Sequence, residues 1–384
     1  MTHTVPKNRH EKVSEDPPTP AISSAHVRST VIAVQKQPRK ILTPDPKITS
    51  ESNRKDQVYG IENVLKEDLE LERRKKPSFQ KPIEKRSVKN LSHRSIFGLH
   101  KDRCPKGTVP ILRTTKKDLI EEKNSLTSSI FLEDIPGVHV AEIAISSKFG
   151  PYYSIFGMNS VYNPRVTAKG QMSLSHMWVQ NGPVDTNNKI SIGWHVCPEL
   201  YGDQDSHVYT SWTRDNYRKT GCYNIRCPGF VQIHKNMYPG ARLKNVSSYG
   251  GPVFGFDSSI TQDPVTKNWW IGEKGHFMGY FPAKLFSNMN SADKVGFGGR
   301  TLTPKGSPSP PMGSGHFPDE NFYHASFYKW INVENLTRDF GPEKYQIENY
   351  IDHPKCFGVS YYGKLQKKFG YTLQFGGPGG NCGN

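Results

Sequence analysis

The sequence predicts an all-β fold, an antiparallel β-sandwich over residues 135–384, preceded by a largely disordered, partly helical N-terminal segment. Three observations lead there. The chain holds 18 Tyr, 19 Phe and 6 Trp beside 34 Gly, a combination that suits short strands and tight turns better than helix bundles. From about residue 135, apolar alternation interrupted by turn residues recurs every ten or so positions. Between these runs no helical period intervenes, which favours antiparallel pairing over crossover helices.

The clearest element is residues 189–196 (KISIGWHV). Alternation puts Ile190, Ile192, Trp194 and Val196 on one face, and Ser191, Gly193 and His195 on the other. Shorter runs at 208–213, 230–234, 269–272, 277–281, 325–331 and 371–375 read as further strands, with Gly and Pro separating them. About 250 residues suffice to bury a substantial core. The pairs Gly298-Gly299 and the 376–380 run (GGPGG) read as turns rather than phosphate cradles.

The first third has another texture. Residues 1–57 are polar, rich in Pro, Ser, Thr and Lys, and read as a disordered segment. Residues 58–76 space Val64, Leu65, Leu69 and Leu71 roughly as one short helix would, and 114–126 carries a second helical pattern. Of the formal net charge of +16, residues 1–123 contribute +11, from 27 Lys+Arg against 16 Asp+Glu. Such an excess allows phosphate contacts, but a solvated tail is the simpler reading, and no nucleic-acid module accompanies it. Nucleic acid is therefore not an expected partner. Nor is a membrane, because no apolar stretch approaches the length of a spanning helix. The first twenty residues contain no apolar h-region and do not read as a signal peptide.

Standard catalytic motifs are missing. The sequence has no H-E-x-x-H, no Walker loop, no G-x-G-x-x-G entering a helix and no G-x-S-x-G elbow. No cofactor or metal is expected. His195 and His207 flank a loop with Glu199, Asp203 and Asp205, where a metal, acid–base chemistry or simple solvation are all open. Six cysteines (104, 197, 222, 227, 356 and 382) form no C-x-x-C pair, and their even number permits disulfides and an oxidising compartment. Cys222 and Cys227 suit a small loop, and Cys356 and Cys382 a staple for the C-terminal tail, although spacing alone fixes neither pairing. In an oxidising compartment Asn90, Asn245 and Asn335 become glycosylation candidates.

Several ordered segments together resemble the neprosin family of plant glutamic endopeptidases. They are 193–203 (GWHVCPELYGD), 220–232 (TGCYNIRCPGFVQ), 248–251 (SYGG), 268–270 (NWW), 279–282 (GYFP), 311–317 (PMGSGHF), 352–356 (DHPKC) and 375–379 (FGGPG). The match spans about residues 138–384. Residues 104–113 (CPKGTVPILR) resemble the end of the family's activation peptide, so 58–134 is read as a divergent activation-peptide-like region, with 77–80 (PSFQ) a remnant of it.

The resemblance implies a β-sandwich with a cleft on one sheet, cleavage after proline, secretion, and two glutamates acting on water and the scissile carbonyl. Those glutamates fall in I-E-x-G-W and G-G-E. Here the matching residues are Ser191 and Arg300, 109 positions apart. Serine offers no carboxylate, and arginine is permanently cationic. The implied reading is a degenerate member with no assigned catalytic residue. The alternatives are a peptidase with relocated carboxylates, Glu199, Asp203 or Glu273, and a binding or regulatory protein whose Arg300 offers a donor fork in the old cleft. An active form would take a proline-containing peptide; an inactive one, an unknown ligand. Because both pairs lie inside the matching motifs, Cys222–Cys227 and Cys356–Cys382 are the expected disulfides, with Cys104 and Cys197 unpaired.

Overall fold

The computed structural model describes residues 59–60, 77–79, 109, 111–112, 130, 136–273 and 275–382. The expectations for residues 1–57, for a helix over 114–126 and for Cys104 lie outside them. So does most of the 58–76 helix, but its beginning does not: Tyr59–Gly60 (β1) pairs antiparallel with Ile111–Leu112 (β2). A partner strand, supplied some fifty residues later, overrides local helical spacing there.

The body is a sandwich of two antiparallel sheets. The seven-stranded sheet runs β16-β3-β13-β5-β6-β7-β8. Its strands are β3 (Val138–Ile145), β5 (Met172–Asn181), β6 (Asn188–Val196), β7 (Ser206–Thr213), β8 (Cys222–Tyr223), β13 (Lys294–Leu302) and β16 (Ile347–Ile351). The second sheet runs β17-β18-β14-β4-β10-β11-β12-β9, with β15 paired to β14. It comprises β4 (Tyr152–Ser160), β9 (Val231–Gln232), β10 (Gly255–Gln262), β11 (Trp269–Glu273), β12 (His276–Phe281), β14 (Ser326–Asn335), β15 (Asp339–Phe340), β17 (Gly358–Lys364) and β18 (Tyr371–Gly376).

Alternation decides which side of each strand meets the other sheet. From β6, Ile190, Ile192 and Trp194 enter one continuous core with Ile143 of β3 and Phe297 of β13. The facing sheet contributes Ile155, Phe256, Ile271, Tyr328 and Phe375 to that same core. Each fully buried side chain of this size contributes about 1.5–3 kcal/mol of transfer free energy, so the apolar faces hold the layers together.

Gly298 and Gly299 are not a turn. Both sit in the middle of β13, hydrogen-bonded to β3 and β5. The reason is close approach. A Cβ on Gly298 (φ +151) would lie 2.3 Å from the Ala141 carbonyl oxygen, and one on Gly299 would meet the Phe375 ring at 2.7 Å. The absent side chains let β13 fit between its neighbours.

Candidate functional site

The outer face of the seven-stranded sheet carries an unusual interior. Opposite the core-facing Ala141, Ile143 and Ile145, β3 turns Glu142 outward. In register across the sheet, Glu142 faces Gly298, Gly298 faces His176, and His176 faces Gly193. A glycine thus stands on each side of His176. A Cβ at Gly193 would collide with the Ser175 carbonyl at 1.9 Å, so the strands pack tightly beneath the ring.

Glu142 is the hub. One carboxylate oxygen accepts a hydrogen bond from His176 Nε2 at 2.7 Å and another from Arg300 Nε. The other accepts from Trp178 Nε1 at 3.0 Å and from Arg300 Nη2 at 3.0 Å. Four donors occupy the roughly four lone-pair sites of one carboxylate. The Arg300–Glu142 pair is a two-pronged fork on a planar acceptor, and both side chains are almost wholly buried. The remaining Arg300 nitrogen, Nη1, donates to the Ile130 carbonyl at 3.5 Å. Ile130 itself is buried against Leu174, Tyr209, Tyr217 and Tyr223 on this face.

Charge states follow from these contacts. Burial pushes the Glu142 carboxyl upward, but the Arg300 guanidinium and the His176 hydrogen bond outweigh it and hold it well below the usual range. Burial drives His176 the other way, down to about 4, against the pull of Glu142. At neutral pH the group is therefore carboxylate, guanidinium and neutral imidazole, with the His176 proton on Nε2 because ionised Glu142 can only accept.

A family model described as Neprosin matches residues 169–378, more than half of the 384. The chain belongs to the Neprosin family. Its fold is also similar to scytalido-glutamic peptidase, solved with a peptide-based transition-state analogue and with a transition-state analogue inhibitor. Identities are 11% and 10%, TM-scores 0.34, and coverage 62% of this chain and 98% of that one. It is likewise similar to SCP-B, a member of the eqolisin family solved with the tripeptide Ala-Ile-His, at 10% identity and TM-score 0.29 over 62% of this chain and 98% of that one.

In this neprosin domain Ser191 and Arg300 lie on the same sheet face, on either side of β5. Ser191 is in register with Trp178, and Arg300 with Leu174 four positions along. Ser191 is fully buried and its Oγ has no hydrogen-bond partner among the described residues. Beside it, the buried Lys189 sets its ammonium 4.4 Å from the Trp178 ring centre. Arg300 projects neither into solvent nor toward an open cleft, because the carboxylate it takes is the chain's own Glu142.

The other carboxylates singled out by sequence lie elsewhere. Glu199 is exposed on a single helical turn, α1 (Pro198–Tyr201), which starts on Pro198 and ends on the left-handed Gly202. Asp203 is paired with His207 at 3.0 Å; burial pushes its carboxyl up, but the His207 contact outweighs this and holds it below its usual value. Asp205 pairs with Arg242 at 2.6 Å. Glu273 is buried at the end of β11, in the opposite sheet. His195 stacks on Tyr209 and bonds the Tyr201 hydroxyl at 2.7 Å; burial holds it well below its ordinary value.

Cys222–Cys227 and Cys356–Cys382 are disulfides. Cys197 is buried and free, and burial raises its thiol to about 12, so it stays protonated and unreactive. Asn335 uses its side chain on the Phe149 carbonyl and on the Thr337 and Arg338 backbone N–H groups. Asn245 is partly exposed. The two disulfides fit a secreted protein, and among the described residues no helix is long and apolar enough to cross a membrane.

The residues that sequence reasoning missed are Glu142, His176 and Trp178. One signal was available. In 138–145 (VHVAEIAI) Glu142 is the lone carboxylate of a strand whose one other polar side chain is His139, and such a strand buries what it carries.

Proposed function

We propose that this protein is a degenerate neprosin-domain protein without glutamic-peptidase chemistry, and that it acts by binding or regulation. The observation that carries this reading is the saturation of Glu142. A general base must have a lone pair free to take a proton from water and a pKa near the working pH. Glu142 has four donors on its two oxygens and a carboxyl held far down by Arg300. At the two positions matched to the family glutamates stand a serine without a carboxylate and a guanidinium already neutralised.

The relocated-carboxylate reading gains little from the geometry, because Glu199, Asp203 and Glu273 are dispersed over a helical turn, a loop and the other sheet. A proline-containing peptide is the ligand class to test first, as substrate or as bound partner.

The test compares wild type with Ser191→Glu/Arg300→Glu and with the same pair combined with Glu142→Ala. The third substitution is needed because Arg300→Glu alone would set two carboxylates against each other in a buried site. Wild type is expected to leave a proline-containing peptide uncut between pH 3 and 8, with cleavage appearing only in the triple variant. Wild-type cleavage abolished by changing Glu142, Glu199 or Glu273 would overturn the proposal.

A further inference from the structure

On the opposite sheet a short upstream segment is held by a second, separate set of contacts. Ser78 donates its backbone N–H to one oxygen of Asp263 and its hydroxyl to the other, both at 2.6 Å, across 185 positions of sequence. Asp263 also organises its own turn between β10 and β11, accepting from the Val265 and Thr266 N–H groups at 2.8 and 3.0 Å. Next in the chain, Phe79 meets Phe277 of β12 edge-on, with ring centres 5.9 Å apart. Phe277 in turn packs on Trp270, and Trp270 on Tyr280. Trp270 lies between the core-facing Trp269 and Ile271, so its own side chain points to the outer side of the sheet, yet it is only 1% exposed.

The contacts select for residue type. A carboxylate that has already accepted two turn amides offers its remaining sites to two donors set close together. Serine or threonine supplies that pair, the backbone N–H and the side-chain O–H of one residue. Pro77 fixes the backbone entering Ser78, and the aromatic that follows reaches the Phe277 edge. Bonds to an ionised acceptor are the stronger kind. Burial opposes and the two Ser78 bonds favour the ionised form, and the balance holds the Asp263 carboxyl below its usual range.

We propose that the Asp263 turn and the Phe277 ring form a docking site for a Pro-Ser-aromatic segment, filled here by residues 77–79, and that it retains the N-terminal part of the chain when the backbone is cut between residues 113 and 129, where the β1–β2 pair stays within one fragment. The site is on the nine-stranded sheet, away from Glu142 and Arg300, and does not depend on whether the other face is catalytic. It also makes Ser78, which is exposed, a point of control. A phosphate there would replace the hydroxyl donor by a dianion facing a carboxylate.

The experiment uses the full chain with one site for a sequence-specific protease inserted after residue 123, so that β1 and β2 remain on the same fragment. After cutting, gel filtration with mass analysis is expected to show both fragments eluting together. Ser78→Ala, which alters no residue of the sandwich, and Asp263→Asn should each weaken retention at least tenfold, and Ser78→Thr should keep it. A synthetic peptide of residues 73–83 should displace the N-terminal fragment, whereas the same peptide phosphorylated at Ser78 should not. Dissociation of the wild-type fragments on cutting, retention unchanged in Ser78→Ala, or equal displacement by both peptides would each overturn the proposal.

Discussion

Ser191 and Ile192 are consecutive in β6 and both fully buried, yet they belong to different interiors. Ile192 points between the sheets, into a core where any well-shaped apolar neighbour will serve. Ser191 points to the outer face, where Glu142, His176, Trp178 and Arg300 are joined by directed bonds across three strands. The apolar face is held by area, which is additive and forgiving. The polar face is held by partners, and a missing partner leaves a buried group with nothing to replace it. One sheet therefore has a tolerant side and an intolerant side.

The largest expected effect is on the intolerant side. Glu142→Ala strands the Arg300 guanidinium in a dry site and should cost about 3–5 kcal/mol of unfolding free energy. Arg300→Met should cost a similar amount by stranding the carboxylate. Replacing both together, Glu142→Ala with Arg300→Met, should cost clearly less than the sum of the two single changes, because neither charge is then stranded, while His176 Nε2 and Trp178 Nε1 still lose their acceptor and keep part of the loss. Urea denaturation of the four proteins gives the coupling directly. Single costs that simply add would show that the fork is not the organising contact.

Acid tests the same face without mutation. A histidine with a folded pKa of about 4 against an ordinary 6.5 is neutral in both states above pH 6.5. Between 6.5 and 4 only the unfolded chain takes the proton. Stability is then fully present above 6.5 and falls as pH drops, by up to about 3 kcal/mol at pH 4 for this group. Glu142, held low, adds a further loss below its unfolded value near 4. His195 is depressed by burial and by the neighbouring His207 and contributes in the same direction. Melting temperatures of wild type and His176→Gln across pH 7 to 4 should show a shallower decline in the variant, whose amide can still donate to Glu142. Equal slopes would remove His176 from the account.

What the sequence made legible follows the same division. Alternation in residues 189–196 assigned both faces of β6 correctly, because apolar burial is a property of each residue and its period. The disulfides followed from motif resemblance. The hub did not, because Glu142 and Arg300 are 158 positions apart and become neighbours only through the order β3-β13-β5. Periodicity says that Glu142 faces outward but not what waits there. The Gly298-Gly299 pair misled for a related reason: glycine demanded by a cross-strand approach reads, in one dimension, like glycine demanded by a turn.

On the tolerant face the expected effects are smaller. Ile192→Val removes one methylene from a packed core and should cost about 0.5–1.5 kcal/mol, with unchanged cooperativity. Chemical denaturation reads this easily. A loss as large as that of Glu142→Ala would mean the two faces do not differ as described.

The smallest effect, and the one of opposite sign, should come from Ser191. Its hydroxyl is buried without a hydrogen-bond partner among the described residues, so it carries the desolvation cost of a polar group with no bond in return. Ser191→Ala removes that cost along with one small atom, leaving a void below the size that matters for packing. Unfolding free energy should stay the same or rise by up to about 1 kcal/mol, although the substitution lies in the middle of the polar face. Ser191 would then be a position that the Glu142–Arg300 network does not use, and its occupancy by a small residue would leave space beside Trp178. A fall of about 1 kcal/mol or more would reveal a bond to Ser191 Oγ and would place it inside the network with Glu142, His176 and Trp178.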